Sequence, residues 1–356
     1  MTTEISCSSP SNSQIKKLQD SLLAWFSSHG RKDLPWQKDK TLYRVWVSEI
    51  MLQQTQVSTV IPYYLKFMNQ FPTIADLASS SLDLVLSHWA GLGYYARARN
   101  LHLAAIKIQE NHAGQFPDQL DQVLNLPGIG LSTASAILSI SQNQPLAICD
   151  GNVKRVLSRL HCVNSPLNQS NTEKILWDLA KKYMPEKNCA DYSQAIMDLG
   201  ATLCTQSKPS CSICPLNSIC QAYLTNTQTL YPVPKKPLVK KTKHQTFLIF
   251  TTPTHILLNQ NPLTGIWGGL FTPLLLENHP ELLPDPIDPS IHIYIDKQKH
   301  VFTHFDLIYD AYFLKINQAF PHSNLNPNSN SWHPINSLDK LALPAPIKTL
   351  LNNFFK

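Results

Sequence analysis

Cys204, Cys211, Cys214 and Cys220 follow the spacing C-x6-C-x2-C-x5-C. Four thiolates in so short a loop can wrap one inorganic centre. A single CxxC with two flanking cysteines suits a [4Fe–4S] cluster better than a zinc ribbon, which pairs two CxxC knuckles across a longer spacer. A second candidate for chemistry is a lone acid. Glu49 is the only charged residue between Arg44 and Lys66, in the stretch VWVSEIMLQQTQV. Val45, Trp46, Ile50 and Leu52 share or flank its helical face. Burial disfavours a carboxylate's charged form and raises its pKa, leaving an acid able to give up a proton near neutral pH. A purely structural glutamate, bonded to a backbone amide or an arginine, would read the same way from this stretch alone.

Two further stretches carry potential binding or catalytic groups. LNLPGIGLSTASAIL, residues 124–138, reads as a helix end, a glycine-rich turn and a new helix from Ser132. Gly128 and Gly130 let the backbone turn sharply, and the free N–H groups of the following helix can face an anion such as a DNA phosphate. ICDGNVKRVLSRL places Asp150 just before a helix bearing Lys154, Arg155 and Arg159. Its residue types predict a helix N-cap and a solvated basic face. Cys7, Cys149, Cys162 and Cys189 lack ligand spacing and read as ordinary buried thiols.

The elements that must position these groups fall into two blocks. Residues 14–224 show helical periodicity almost throughout. From Thr225 to Lys243 proline and lysine take over, and LYPVPKKPLVKKTK carries five lysines and no acid. That composition predicts an extended basic linker. Beyond it QTFLIFTT, HILLNQ, IHIYID and IYDAYFLKI read as strands, and APIKTLLNNFF as a closing helix, so the second block is α+β. The expected domains are therefore 1–225, a linker at 226–243, and 244–356.

Bulk composition sets wider bounds. A chain of 356 residues with 43% hydrophobic content can build two cores, and 30 Lys+Arg against 24 Asp+Glu permits a polyanionic partner. No run of about 18 apolar residues is present, so no membrane span is expected. MTTEISCSSPSNSQ lacks the basic and apolar regions of a secretory signal, which predicts a cytoplasmic protein with reduced thiols.

Together, the LPGIG turn, the aspartate about twenty residues on and the cysteine loop resemble the helix-hairpin-helix glycosylases of the endonuclease III superfamily. LPW at 34–36, VSEIMLQQTQV, GLGYYARARNL at 91–101, DGNVKRV and MDLGATLCTQSKPSCSICPL narrow the resemblance to the MutY-type adenine DNA glycosylases. It is dense over residues 20–225 and sparse beyond. It implies a mainly α-helical glycosylase domain with one [4Fe–4S] cluster, then an α+β Nudix-like (MutT-like) domain. It also implies base excision repair of adenine mispaired with 8-oxoguanine or guanine in double-stranded DNA, by a monomeric, nucleoid-associated enzyme.

On that resemblance Glu49 protonates the departing adenine, Asp150 stabilises or traps the sugar cation, and Asn152 helps organise the site. Gln54 and Tyr94 match positions that wedge into the duplex. Ser132 replaces the lysine of strand-cutting relatives, which implies a monofunctional glycosylase. In the C-terminal block PLTGIWGGLFTPLL matches the Nudix-like pattern, yet Glu277 and Glu281 stand alone where a working Nudix hydrolase needs a glutamate-rich helix for Mg²⁺. HVFTHFDL matches the loop that senses 8-oxoguanine, with Phe302, Thr303 and His304 as its reading residues. The competing reading is a non-enzymatic Fe–S protein that scans DNA for damage; Glu49 and Asp150 both being present argues against it.

Overall fold

The computed structural model describes residues 10–235, 239–279, 282, 292–302, 304–316 and 330–355. By contacts the chain divides into two compact units, residues 1–78 with 103–236, and residues 79–102 with 237–356.

In the first unit α1 (Asn12–His29) opens on a capping box, with Ser11 and Gln14 satisfying each other's backbone amides. Thr41 caps α2 (Leu42–Leu52), whose Val45, Trp46, Val47, Ile50 and Met51 are buried. Trp46 is fully buried and packs its indole on Phe116, with ring centroids 5.2 Å apart. Next come α3 (Val57–Gln70) and α4 (Ile74–Ser79). Locally α3 is a weak helix, since its first turns are β-branched and Pro62 sits inside it. Its buried Val60, Tyr64, Phe67 and Met68 hold it by tertiary packing. The unit continues through α7 (Leu120–Leu124), α8 (Leu131–Gln142), α9 (Gly151–Leu160), α10 (Ser170–Tyr183), α11 (Cys189–Thr202) and the short α12 (Gln221–Leu224). Its main core joins Leu18, Leu22 and Phe26 of α1 to Val153, Val156, Leu157 and Leu160 of α9 and to Ala195, Ile196 and Leu199 of α11. The buried Asp198 of α11 anchors the chain after α1, accepting from the Arg31 backbone N–H at 2.9 Å and from its guanidinium at 2.6 and 3.1 Å.

The second unit combines α5 (Leu82–Trp89) and the first turns of α6 (Ala96–Asn111) with a mixed sheet. By contacts, residues 79–102 cluster with the sheet. Two contacts distant in sequence join them: Gln260 donates to Asp83 at 2.8 Å, and Arg99 donates to the Gly268 carbonyl at 2.7 Å. Among the described residues the sheet has seven strands. They are β1 (Lys241–Thr251), β2 (His255–Gln260), β3 (Phe271–Thr272), β4 (Leu274–Leu275), β5 (His292–Val301), β6 (Phe305–Lys315) and β7 (Asn330–Pro334). The order is β3-β2-β1-β6-β5, with β4 also paired to β1 and β7 to β2. β1 and β6 run parallel in register from Lys241↔Phe305 to Thr251↔Lys315, and the other pairings are antiparallel. Phe247, Ile249 and Phe313 on one face pack with Ile347, Leu350 and Leu351 of α13 (Ala345–Phe354). Leu248, Phe250 and Leu314 cluster separately with Leu257 and Leu274. A strand buried on both faces reads as the continuous apolar run seen at FLIF.

One glycine fixes how closely α9 and α11 approach. A Cβ at Gly200 would lie 2.6 Å from the Asn152 Cβ and 3.1 Å from its Cα. Gly200→Ala must therefore push the first turn of α9 away from α11. The expected result is a stability loss of roughly 1–3 kcal/mol, the usual size for overpacking, read as a lowered thermal midpoint. An unchanged midpoint would show that the helices have room to spare.

Candidate active site

Glu49 lies on α2, and Asp150 is the N-cap of α9. Both belong to the first unit, and Asp150 is close enough for its charge to act on Glu49. Burial, reinforced by that charge, raises the Glu49 carboxyl from 4.5 to about 8. Glu49 as a whole residue is half-buried. Asp150 lives differently. Burial raises it too, but it is held by donors: Val153 N–H reaches Oδ1 at 2.8 Å and Asn152 Nδ2 reaches Oδ2 at 3.2 Å. The Arg155 charge also favours its ionised form. Two nearby carboxyls in unlike surroundings separate into an acid and a carboxylate. Glu49, with only burial and repulsion acting on it, keeps the proton.

The donors extend into a chain. Asn152 Oδ1 accepts from Arg155 Nη2 at 2.8 Å, and the same nitrogen reaches the Gly200 carbonyl at 2.6 Å. Arg155 Nε donates to the Cys204 carbonyl at 2.7 Å. Arg159, one turn on, is only 2% exposed. It donates to the carbonyls of Gln228, Tyr231, Thr205 and Gln206 and to Cys204 Sγ, at 2.7–3.3 Å. The solvated basic face expected of α9 is thus corrected at two positions. Lys154 is half-buried and pairs with Glu173 at 2.6 Å. Arg155 and Arg159 instead turn inward and stitch α9 to the cysteine loop. Their spacing held a usable signal, because Asn152 and Arg155 are three apart on a helix and therefore neighbours.

All four loop cysteines line one cavity, with Arg159, Leu203, Asn217, Tyr223 and Gln228. None of the described cysteines forms a disulfide. Burial, added to repulsion from the neighbouring thiols, pushes Cys214 up to about 12 and raises Cys211 and Cys220. Such a set becomes four thiolates only around a cationic centre, and the residues fit an iron–sulfur cluster on that chemistry. Cys149 and Cys189 are buried and Cys162 half-buried, while Cys7 lies outside the described residues.

The glycine-rich turn joins α7 to α8, with Gly128 at φ +78° and Gly130 as N-cap. Gly130 offers no side-chain cap, so the first amides of α8 are left for another acceptor. Ser132 is turned inward; its Oγ accepts from Cys149 N–H at 3.0 Å, tying α8 to the residue before Asp150. Gln53 Nε2 reaches Thr133 Oγ1 at 3.3 Å and brings the end of α2 beside the start of α8. The next residue, Gln54, is exposed and left-handed at φ +57°.

In the second unit Tyr94 is also left-handed, at φ +51°, and 46% exposed. The Trp89 indole and the Arg97 guanidinium both donate to the Gly93 carbonyl at 3.1 Å, and Arg97 lies 5.3 Å over the Tyr94 ring. Phe302 is half-buried, stacked on Phe305 at 4.5 Å and edge-on to His300 at 4.7 Å. Lys240 Nζ donates to its carbonyl at 2.9 Å. His304 is exposed, and Thr303 lies outside the described residues. Of the expected reading loop, then, the phenylalanine is packed into its own domain and the histidine faces outward.

Residues 47–182 match the HhH-GPD superfamily of base excision DNA repair proteins, and residues 245–353 match the NUDIX domain. The chain is 39% identical to the adenine DNA glycosylase of Buchnera aphidicola subsp. Baizongia pistaciae (strain Bp), over 94% of this chain and 96% of the relative. It is 34% identical to the adenine DNA glycosylase of Rattus norvegicus, over 88% of this chain and 73% of the relative. Among solved structures a thermostable thymine-DNA glycosylase superposes with a TM-score of 0.55 and 26% identity, covering 60% of this chain and 98% of that one. With an HhH-GPD domain followed by a NUDIX domain and such identity over nearly its whole length, the chain belongs to the adenine DNA glycosylase family of base excision DNA repair proteins.

Proposed function

We propose that the protein is a monofunctional adenine DNA glycosylase. On this reading it binds double-stranded DNA, extrudes adenine mispaired with 8-oxoguanine or guanine, and hydrolyses its glycosidic bond. The observation that carries the reading is the pair of carboxyls with opposed environments, Glu49 raised to about 8 and Asp150 held by three neighbouring residues. Adenine inside a duplex stack cannot be reached, so it must first be flipped out. Glu49 then delivers its proton to a ring nitrogen of the base while the bond to C1′ breaks and its electrons leave with adenine. The sugar becomes oxocarbenium-like, and the Asp150 carboxylate stabilises that positive charge, as in glycosidases that pair an acid with a carboxylate. Water adds at C1′, and its proton restores Glu49. Asn152 orients Asp150. Ser132 offers no amine for a Schiff base, which supports hydrolysis without strand cutting.

Domain roles follow the same reading. Residues 1–225 form the glycosylase domain, 226–243 the linker, and 244–356 the domain that reads the opposite base. Gly128, Gly130 and the amides of α8 hold a backbone phosphate. Gln54 and Tyr94 wedge the opened duplex; bulky residues persist in the left-handed region only where their surroundings impose it, and such strain gathers at functional sites. Exposed Lys240, Lys241 and Lys243 lie along phosphates, Lys240 beside Phe302. Cys204, Cys211, Cys214 and Cys220 hold one [4Fe–4S] cluster. When bound, that cluster supplies the cationic centre that keeps four thiolates in one loop.

Three outcomes are expected. Single-turnover excision falls as pH rises through about 8, because the required Glu49 acid is lost above its pKa. It also falls at acid pH as Asp150 takes up a proton, at a higher pH than an ordinary aspartate because burial raises it. Glu49→Gln removes the proton donor and slows excision by roughly 10²–10⁴-fold while DNA binding survives. Asp150→Asn still caps α9 and so keeps its thermal stability, yet loses the rate. Rates near wild type in either variant would refute the assignment.

Purified protein should be yellow-brown with about four irons per chain, as four thiolate ligands of a cubane require. A colourless, fully active protein with one zinc would reject the cluster.

Replacing Thr303 and His304 with alanine should weaken binding to 8-oxoguanine:A by about 1–3 kcal/mol more than to G:A, the size of a base-edge contact. Equal losses on both duplexes would assign the loop to packing.

A further inference from the structure

The segment that carries Tyr94 is fastened to the C-terminal sheet domain by two hydrogen bonds, with Leu86 close enough to Gly269 that an added side chain there would press on it. Asp83 of α5 accepts from Gln260 at 2.8 Å. A Cβ at Gly269 would come within 3.2 Å of Leu86 Cδ1. Arg99, on the first turn of α6, donates to the Gly268 carbonyl at 2.7 Å. Each of these contacts meets the end of β2 or the turn after it, residues 261–270.

That turn is stiff. The Gly269 N–H donates to the carbonyls of Asn261 and Pro262, and Leu270 N–H to that of Trp267. Any side chain at Gly268 would strike the Leu263 carbonyl oxygen, since its Cβ would sit 2.3 Å away. Trp267 is forced to φ +52°, a conformation an indole residue accepts only under constraint. From there its ring meets Phe302 at 5.7 Å and His300 at 6.2 Å. At the other end, Arg99 is five residues from Tyr94, whose turn is clamped by Trp89 and Arg97 through the Gly93 carbonyl.

We infer that Arg99 and Trp267 are positioning residues that lock the Tyr94 turn and the end of β5 at His300 and Phe302 into one mechanical unit, so that wedging the duplex and reading the opposite base are coupled. This rests on the reading of Tyr94 and the loop proposed above. Neither residue has to touch DNA for this. Shared rigidity makes the two contacts cooperative, because ordering one end orders the other.

The test uses the full chain and duplexes carrying 2′-fluoroadenosine, whose glycosidic bond resists cleavage, opposite 8-oxoguanine or guanine. Arg99→Met keeps side-chain length but removes the donor. It should lower the preference for the 8-oxoguanine duplex roughly fivefold to tenfold, the size of couplings between contacting residues. Excision of saturating G:A substrate should stay within about twofold of wild type, and Arg99→Lys should recover part of the preference. Combined with His304→Ala, Arg99→Met should add nothing further. In the DNA-free protein, Arg99→Met and Trp267→Phe should each speed amide exchange at 91–95 and at 300–304 together. Trp267→Phe supplies the same readout should Arg99→Met fold poorly.

Equal weakening on both duplexes with a shallower salt dependence would overturn the inference, making Arg99 a phosphate contact. Exchange confined to one of the two segments would overturn it as well. A preference that survives Arg99→Met would overturn the coupling alone. A wild type with no preference would overturn the loop's reading role, and the coupling with it.

Discussion

Two carboxyl groups placed near each other in a poorly solvated site cannot both carry a charge at modest cost. In the first unit the surroundings of Glu49 and Asp150 decide which of the two yields. Around Glu49 the neighbours on α2 are apolar, and only burial and repulsion act on it. Around Asp150 the protein assembles a helix start, an amide side chain and a guanidinium. The difference in donors, more than any difference in depth, sorts the two into acid and carboxylate. The same logic explains why Gly200 carries no side chain. Asn152 is one of the donors to Asp150, and its backbone and Cβ leave no room for a side chain at Gly200.

The cysteine loop lies at the far end of that arrangement of donors. Asp150, Asn152, Arg155 and the Cys204 carbonyl form a continuous hydrogen-bonded path, and Arg159 gathers four more carbonyls from residues 205 to 231. A buried guanidinium is tolerable when its donors are committed, and these are committed to backbone. Loop geometry is thereby tied to helix α9, whose first residues bear on the site.

How much of this was legible beforehand follows from how local each feature is. The four cysteines, the solitary Glu49 and the glycine-rich turn are spacing signals within single segments, and the strands HILLNQ and IYDAYFLKI and the closing helix appear close to where their patterns placed them. Helix α3 is the least legible locally, because its stability comes from the packing of Val60, Tyr64 and Phe67, against the local tendency of Pro62. Arg155 and Arg159 looked like solvated charges because their acceptors are carbonyls some 45 or more residues away. The grouping of residues 79–102 with the C-terminal sheet also depends on partners distant in sequence, and periodicity is silent about those. Roles such as wedge or reading residue came from family resemblance. Geometry adds to them the left-handed backbone of Gln54 and Tyr94 and the packed state of Phe302.

The docking of Arg99 on Gly268 has a consequence for how the protein is made. The two residues are 169 positions apart. At a synthesis rate of about 5–20 residues per second, α5 and the start of α6 emerge roughly ten to thirty seconds before the turn that receives them. Throughout that interval the Leu86 and Arg99 surface lacks its native cover, and a truncated product ending near the linker would keep it bare permanently. Premature termination would also damage the unit that carries Tyr94, well upstream of the lost residues.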